Sequence, residues 1–472
     1  MALPVTHHTE HAITVAAAAR RVFGLIVDVG RWPETFPPTV HVEHVERGET
    51  QERDGAGRSR GGRRDGPVSA DTVVTGLGVV APTGLGHEEH WANTLRGTSA
   101  IGPVTRFDAA RYPSGLAGEL PGFVPEEHLP SRLLPQTDHM TRMALVASDW
   151  ALADAEVDPA ALPEYGMGVV TAASAGGFEF GHRELQNLWG RGPSHVSAYQ
   201  SFAWFYAVNT GQVSIRHGLR GPAGALVTEQ AGGLDALGQA RRQLRRGRPM
   251  VLAGAVDGSP CPWGWVAQLS TGRMSEETDP TAAYRPFGAG ADGYVPGEGG
   301  ALLVLEDEES ARARGATRCY GRIAGYAAAF DPPPGSGRPP NLLRAARAAL
   351  DDAGLDPEDI DVVFADAAGT REEDTAEADA LRALFGPHGV PVTAPKTMTG
   401  RLSAGGSALD VATALLALGE GVIPPTVNVG RPRPEHTLDL VTTPRRAPLA
   451  AALVLARGRG GFNSAVVLTN PH

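Results

Sequence analysis

The reading turns on Gly224-Ala225-Leu226-Val227-Thr228-Glu229-Gln230-Ala231-Gly232-Gly233-Leu234-Asp235-Ala236-Leu237-Gly238-Gln239-Ala240-Arg241-Arg242. A short apolar strand, Ala225 to Val227, meets a sharp turn at Thr228-Glu229-Gln230. A helix follows, with Leu234, Leu237 and Ala240 at helical spacing. Such a strand–turn–helix places the turn at a helix N-terminus, where backbone dipoles lower a thiol's pKa or hold an anion. The seat suits a nucleophile, yet Gln230 occupies it, an amide with neither a nucleophilic atom nor a useful pKa.

The 472-residue chain is long enough for a large core of two or more structural units. Its net charge of −11 argues against general nucleic-acid binding, which depends on neutralising phosphates. The two cysteines, Cys261 and Cys319, suit a reducing cytoplasm better than a disulfide framework, although the two could pair. Cys261 has no neighbouring His and reads as structural. No basic segment followed by an apolar run marks the N-terminus, and no apolar run reaches the length of a membrane span. The expectation is a soluble cytoplasmic protein, with no metal-ligand set.

From Asp71 onward, apolar runs alternate with helical patterns, which implies an α/β architecture with helices on both sheet faces. Thr72 to Gly84 reads as a buried strand entering a Gly-rich turn; its glycines lack dinucleotide-binding spacing. Met140–Ala155, Phe178–Leu188 and Ser201–Ile215 read as helices, the last long and apolar. Leu342–Ala353, Glu377–Leu384 and Leu409–Leu418 read as helices of a second half. The strands of that half are Arg318–Ala327, Ile360–Ala365, Leu449–Leu455 and Ser464–Leu468. Two like-ordered halves, 71–317 and 318–472, suggest an internal duplication.

The N-terminus differs. His11–Val15 and Val40–Val45 alternate like strands around a helix at Ala16–Val29 and a Pro-rich turn. With Arg31-Trp32-Pro33, residues 1–50 resemble the opening quarter of polyketide aromatase/cyclases of the START-like fold. A β-α-β fragment cannot close that fold's cavity, so the segment reads as a remnant without cyclase activity, or as a docking appendage. Residues 51–70, rich in Arg and Gly without apolar periodicity, read as a disordered linker.

The main segment resembles a β-ketoacyl synthase of the thiolase fold. More closely it resembles the chain-length factor, the ketosynthase-like β subunit of bacterial type II aromatic polyketide synthases. The matching stretches are Thr75-Gly76-Leu77-Gly78, Arg285-Pro286-Phe287, Asp292-Gly293, Gly297-Glu298-Gly299 and Gly460-Gly461-Phe462-Asn463. Glu229-Gln230-Ala231-Gly232-Gly233 and Ala198 to Phe205 look like the β subunit specifically. The resemblance implies duplicated α/β halves in an α-β-α-β-α layering.

It also implies which groups a condensing enzyme needs: an elbow Cys that carries the acyl chain, and two His that stabilise an enolate. The matching positions hold Gln230, Ala368 and Arg401, while the family Lys survives as Lys396. Arg cannot exchange protons and Ala offers none, so no independent condensation and no catalytic residue is expected. Glu298, Asp366 and Lys396 read as structural partners around the old site. Some Gln-type relatives decarboxylate malonyl thioesters, but they keep both His.

The resemblance implies a heterodimer with a catalytic ketosynthase α subunit, served by an acyl carrier protein that bears phosphopantetheine, with no cofactor bound to this chain. It also implies substrate-facing residues on a helix, here Phe178, Gly181 and Leu185. Gly181 lacks a side chain, and Leu185 is aliphatic where shorter-chain relatives carry an aromatic ring, so a long, decaketide-class product is expected. The alternative is that Phe178 and Leu185 are core residues and length is set elsewhere.

Overall fold

The computed structural model describes residues 71–333 and 335–471. The readings for residues 1–50 and 51–70 lie outside them. The main strands are β1 (Thr72–Ala81), β2 (Met167–Ala172), β3 (Ala223–Leu226), β4 (Met250–Asp257), β5 (Gly299–Asp307), β6 (Gly321–Phe330), β7 (Val362–Phe364), β8 (Pro391–Thr393), β9 (Asp439–Leu440), β10 (Ala451–Gly458) and β11 (Phe462–Thr469). The main helices are α1 (His87–Leu95), α2 (His139–Asp154), α3 (Phe178–Arg191), α4 (Val208–His217), α5 (Gly232–Leu244), α6 (Pro262–Leu269), α7 (Leu342–Ala353), α8 (Arg371–Phe385) and α9 (Ala404–Glu420).

The strands run β9-β8-β7-β10-β11-β6-β1-β5-β4-β2-β3. Outward from the centre, one half reads β1-β5-β4-β2-β3 and the other β6-β11-β10-β7-β8. These are the first, fifth, fourth, second and third strands of each half, with β9 added at one edge. The orientations repeat as well: two antiparallel pairings, then two parallel ones. The duplication is therefore written in the connectivity. The halves meet where β1 and β6 pair antiparallel, Val73 opposite Arg322 and Val74 opposite Gly321.

Burial explains the layering. Every residue of β1 is buried, as is every residue of β4, because helices cover both faces. One core gathers Leu234 and Leu237 of α5, Leu409 and Leu415 of α9, and strand residues from both halves, such as Ala253 and Val454. These two helices form the central layer. Outside it, α2 packs on β1 through Met143 and Ala147, and α7 packs on β6 and β11 through Ala345 and Ala349. Each fully buried Leu of this kind contributes about 1.5–3 kcal/mol.

The strand expected from Thr72 into a turn is β1, which carries Gly76 and Gly78 within it and ends at Ala81, before the turn at Pro82 and Thr83. A Cβ on Gly78 would sit 1.8 Å from the Ala147 carbonyl oxygen of α2, so the glycine permits backbone contact between strand and helix. Gly325 does the same on β6, where a Cβ would meet the Ala349 oxygen at 2.1 Å. The long helix expected over Ser201–Ile215 is two pieces, Gln200–Ala203 and α4, broken at residues 204–207. The Trp204 carbonyl there accepts from the Gly177 N–H at 3.0 Å instead of continuing a helical ladder. Among the described residues no helix is long and apolar enough to cross a membrane.

Candidate functional site

The elbow begins where β3 ends. Glu229 takes a φ of +53°, a conformation that non-glycine residues rarely adopt, and a single 3-10 turn, Glu229–Ala231, delivers the chain into α5. Gly232 and Gly233 make the entry possible. A Cβ on Gly233 would lie 2.5 Å from the Ala408 nitrogen of α9, and one on Gly232 would lie 2.9 Å from the Ala172 Cβ of β2. Asp235, one turn into α5, accepts from the hydroxyls of Thr228 at 2.6 Å, Tyr326 of β6 at 2.8 Å and Ser464 of β11. The turn is thereby tied to the second half.

Gln230 is buried, and its amide pairs with the backbone of one residue. With the amide oriented by its partners, Nε2 donates to the Ser403 oxygen at 2.9 Å and Oε1 accepts from the Ser403 N–H at 3.3 Å. Ser403 itself sits at φ +51°, just before α9. A thiol at position 230 could make neither bond well.

Beside it lies a buried ion pair. Arg401 Nη2 is 3.0 Å from Asp366 Oδ1, and Arg401 Nη1 donates to the Asp366 carbonyl at 2.8 Å. Burial opposes charge on both, but each holds the other ionised: the Arg401 pKa rises and the Asp366 carboxyl falls below its usual range, helped by Lys396. Lys396, the only lysine in the chain, donates to the carbonyls of Ala365 at 2.8 Å and Asp366 at 3.0 Å, and lies 2.7 Å from Asp410.

Ala368 follows on a loop clamped from below. Glu377 accepts from the N–H groups of Asp366 and Ala367 at 2.7 and 2.8 Å, and Asp374 from those of Gly369 and Phe287 at 2.9 and 2.8 Å. The Tyr284 hydroxyl donates to the Ala367 carbonyl at 2.6 Å. These clamps hold Ala367 at φ +50° with no titratable side chain presented at position 368.

A cleft of about 1090 Å³ joins several of these residues. Ala368, Arg401, Asp366 and Ser403 line it, and so does Phe178. Gln230 lies outside its lining, behind Ser403, and Lys396 lies behind Asp366. Glu298 also lies outside it, 2.7 Å from Arg106 Nη1 and 3.2 Å from His139 Nε2. Cys261 is buried as the cap of α6, and burial pushes its thiol up to about 11, the reverse of a reactive cysteine. Cys261 and Cys319 are both free thiols.

The helix α3 stands at the far end of that cleft. Asp138 fixes its start: one carboxylate oxygen accepts from the Met140 N–H of α2 and the other from the Phe180 N–H of α3, each at 2.8 Å. Phe178 stacks on Trp263 of α6, with centroids 4.6 Å apart and planes 8° from parallel. Gly181 faces the same indole, for a Cβ there would approach its Cζ3 to 2.9 Å. Leu185 continues along the surface, 38% exposed, while the buried residues of α3 are Phe180, Gly181 and Glu184. Leu185 and Phe178 are therefore not core residues. Sequence reasoning missed Trp263 and Asp138; Pro262 at a helix start was the available sign for the first, and nothing local marked the second.

Around α3 the surface is unusually aromatic. Trp189 is 83% exposed, and Trp204, Phe205, Tyr206 and Trp263 are each exposed by more than a third. Patches of this kind mark interaction surfaces.

The family models agree with this architecture. That for the N-terminal domain of β-ketoacyl synthases matches residues 69–311, and that for the C-terminal domain matches residues 320–430. The chain belongs to the β-ketoacyl synthase family. Among its relatives in that family, the actinorhodin polyketide putative beta-ketoacyl synthase 2 of Streptomyces coelicolor is 61% identical over 397 residues, covering 84% of this chain and 98% of the relative. The tetracenomycin polyketide synthase ketoacyl synthase beta subunit of Streptomyces glaucescens is 61% identical over 401 residues, with the same coverage. Solved β-ketoacyl synthase structures resemble it too. The ishigamide ketosynthase/chain length factor aligns with TM-score 0.77 and 28% identity over 85% of this chain and all of that one. The complex AntDE:AntF, a type II acyl-carrier protein with its ketosynthase, aligns with TM-score 0.76 and 28% identity over 85% of this chain and 99% of that one.

Proposed function

We propose that this chain is the non-condensing, chain-length-determining subunit of a type II polyketide synthase. One observation carries the reading: the groups at the three reactive positions of a ketosynthase are Gln230, bound to Ser403, Ala368, with no polar atom, and Arg401, paired with Asp366. None of these three side chains is a nucleophile or a proton donor of suitable pKa, while the fold around them persists. The names of the close relatives support the same role.

On this reading the exposed aromatic surface around α3 docks a ketosynthase α subunit that retains Cys and both His. An acyl carrier protein with a phosphopantetheine arm delivers the extender units, and this chain holds no cofactor of its own. Phe178, Gly181 and Leu185 bound the growing poly-β-ketone, and the small residue at 181 and the aliphatic one at 185 suit a decaketide-class product. The division into halves at residues 317 and 318 remains part of the proposal.

The test is reconstitution with a Cys-containing ketosynthase and a malonyl-carrier protein. Gly181→Phe or Leu185→Phe is expected to shorten the product with heterodimer yield unchanged; an unchanged length sinks the assignment. CO₂ release from malonyl-carrier protein by the purified chain alone would favour decarboxylation instead.

A further inference from the structure

The cleft that contains Ala368 and Arg401 extends without a break to Phe178. Phe178 thus stands where the cleft meets α3. One face of its ring stacks on Trp263, beside Gly181, and the side chain also forms part of the cleft wall. Beyond α3 lies the exposed aromatic surface; in the other direction the cleft runs to Ala368 and Arg401, and its whole volume of about 1090 Å³ is at the upper end of the roughly 300–1,000 Å³ of a usual small-molecule site.

The wall chemistry narrows what fits. Several ionic groups of the cleft are matched to one another, Arg401 with Asp366 and Arg273 with Glu373 at 2.9 Å, while Glu372, Arg338 and Arg459 also line it. Glu229 accepts from the Arg459 N–H at 2.8 Å, and Asp257 accepts from the Ser174, Gly258 and Ala404 N–H groups. The wall also offers small apolar and neutral donor side chains, among them Ala175, Ser259, Ala267, Gln268 and Thr271. Among these residues a charged ligand finds no counter-charge. A chain with regularly spaced carbonyl acceptors finds alanine walls with hydroxyl and amide donors.

We propose that this cleft is a second binding site, which takes the distal, uncharged β-keto acyl segment of the product after it passes Phe178. This rests on the chain-length reading above, and it moves the end of the measuring space from the α3 surface into the body of this subunit. Phe178 then regulates entry, and the cleft volume sets the limit.

The experiment uses the reconstituted heterodimer with its carrier protein and reads product length by mass spectrometry. Ala267→Trp places bulk in the cleft from an exposed position of α6, one turn along from Trp263, so the Phe178→Ala background, which lacks the stack, tells an effect on the cleft from an effect on the stack. It is expected to shorten the product by at least one ketide unit. Phe178→Ala is expected to lengthen it, and the double variant to lose that gain. Product lengths that do not respond to Ala267→Trp, in either the parent or the Phe178→Ala background, overturn the proposal. Gly181→Phe separates the two levels: if it shortens the product while Ala267→Trp does not, the chain-length role stands and the second site falls. Copurification of the two subunits verifies that each variant folds.

Discussion

Arg401 and Asp366 form an ion pair 3.0 Å apart, with both side chains almost wholly buried. A charge pair of this kind does not itself add much stability, but removing one partner strands the other. Arg401→Met is expected to lower stability by about 3–5 kcal/mol. Adding Asp366→Asn should return part of that loss, although the Asp366 carboxylate also accepts from the Arg457 N–H. Thermal denaturation of the two variants decides it. Equal loss in both would mean that the stranded charge is not the cause.

On the proposed reading, Gln230→Cys returns a nucleophile in name only. The neighbouring positions still hold Ala368 and Arg401, so no enolate is stabilised. Assayed with a partner whose own Cys is replaced by Ala, this variant is expected to form no carbon–carbon bond. The thiol also forfeits the two bonds to Ser403, at about 0.5–1.5 kcal/mol each. Detectable condensation would contradict the account of the site.

Lys396 offers a double-mutant test. Its ammonium lies 2.7 Å from Asp410, and both are buried. Lys396→Met alone is expected to cost about 3–5 kcal/mol. Lys396→Met with Asp410→Leu should cost less, with a coupling term of roughly 0.5–3 kcal/mol. Strict additivity in chemical denaturation would show that the pair is not coupled.

Asp374 predicts a pH dependence. Burial pushes its carboxyl from 3.8 up to about 7, against the two backbone N–H bonds that favour its charge. A carboxyl with a raised pKa holds its proton more tightly when folded. Its contribution is therefore fully present below about pH 4 and is lost as the pH rises through about 7. The Tm advantage of the parent over Asp374→Asn should shrink between pH 4 and 8. A constant difference would refute the shift.

Asp138 caps two helices with one carboxylate, and Asn cannot accept at both ends. Asp138→Asn is expected to cost about 0.5–2 kcal/mol, the range for a lost cap. It should also loosen the start of α3, so that the reconstituted synthase gives a spread of product lengths. An unchanged, single product would confine Asp138 to a role in stability.

The sequence was most readable where structure is local. The limits of α7 follow from apolar spacing, and the strand–turn–helix at Gln230 from the order of its residues. Gln230, Ala368 and Arg401 could be assigned to a lost constellation because the motifs around them survive. What escaped notice depends on distant partners. Gly78 is a packing residue because of Ala147, the helix expected over Ser201–Ile215 is interrupted where the Trp204 carbonyl accepts from Gly177, and Asp138 matters because it binds Phe180, 42 positions away. Trp263 was hidden for the same reason, since its stacking partner belongs to another helix.

The central layer has a consequence for how the chain comes off the ribosome. Helix α5 rests against α9, yet α9 begins at Ala404, about 160 residues after α5 ends at Leu244. At synthesis rates of about 5–20 residues per second, that delay is on the order of 8–32 s. For that interval the side of α5 that meets α9, with Gly233 at its start, lacks its partner. The first half thus emerges with an open seam, and its final packing waits for translation of the second.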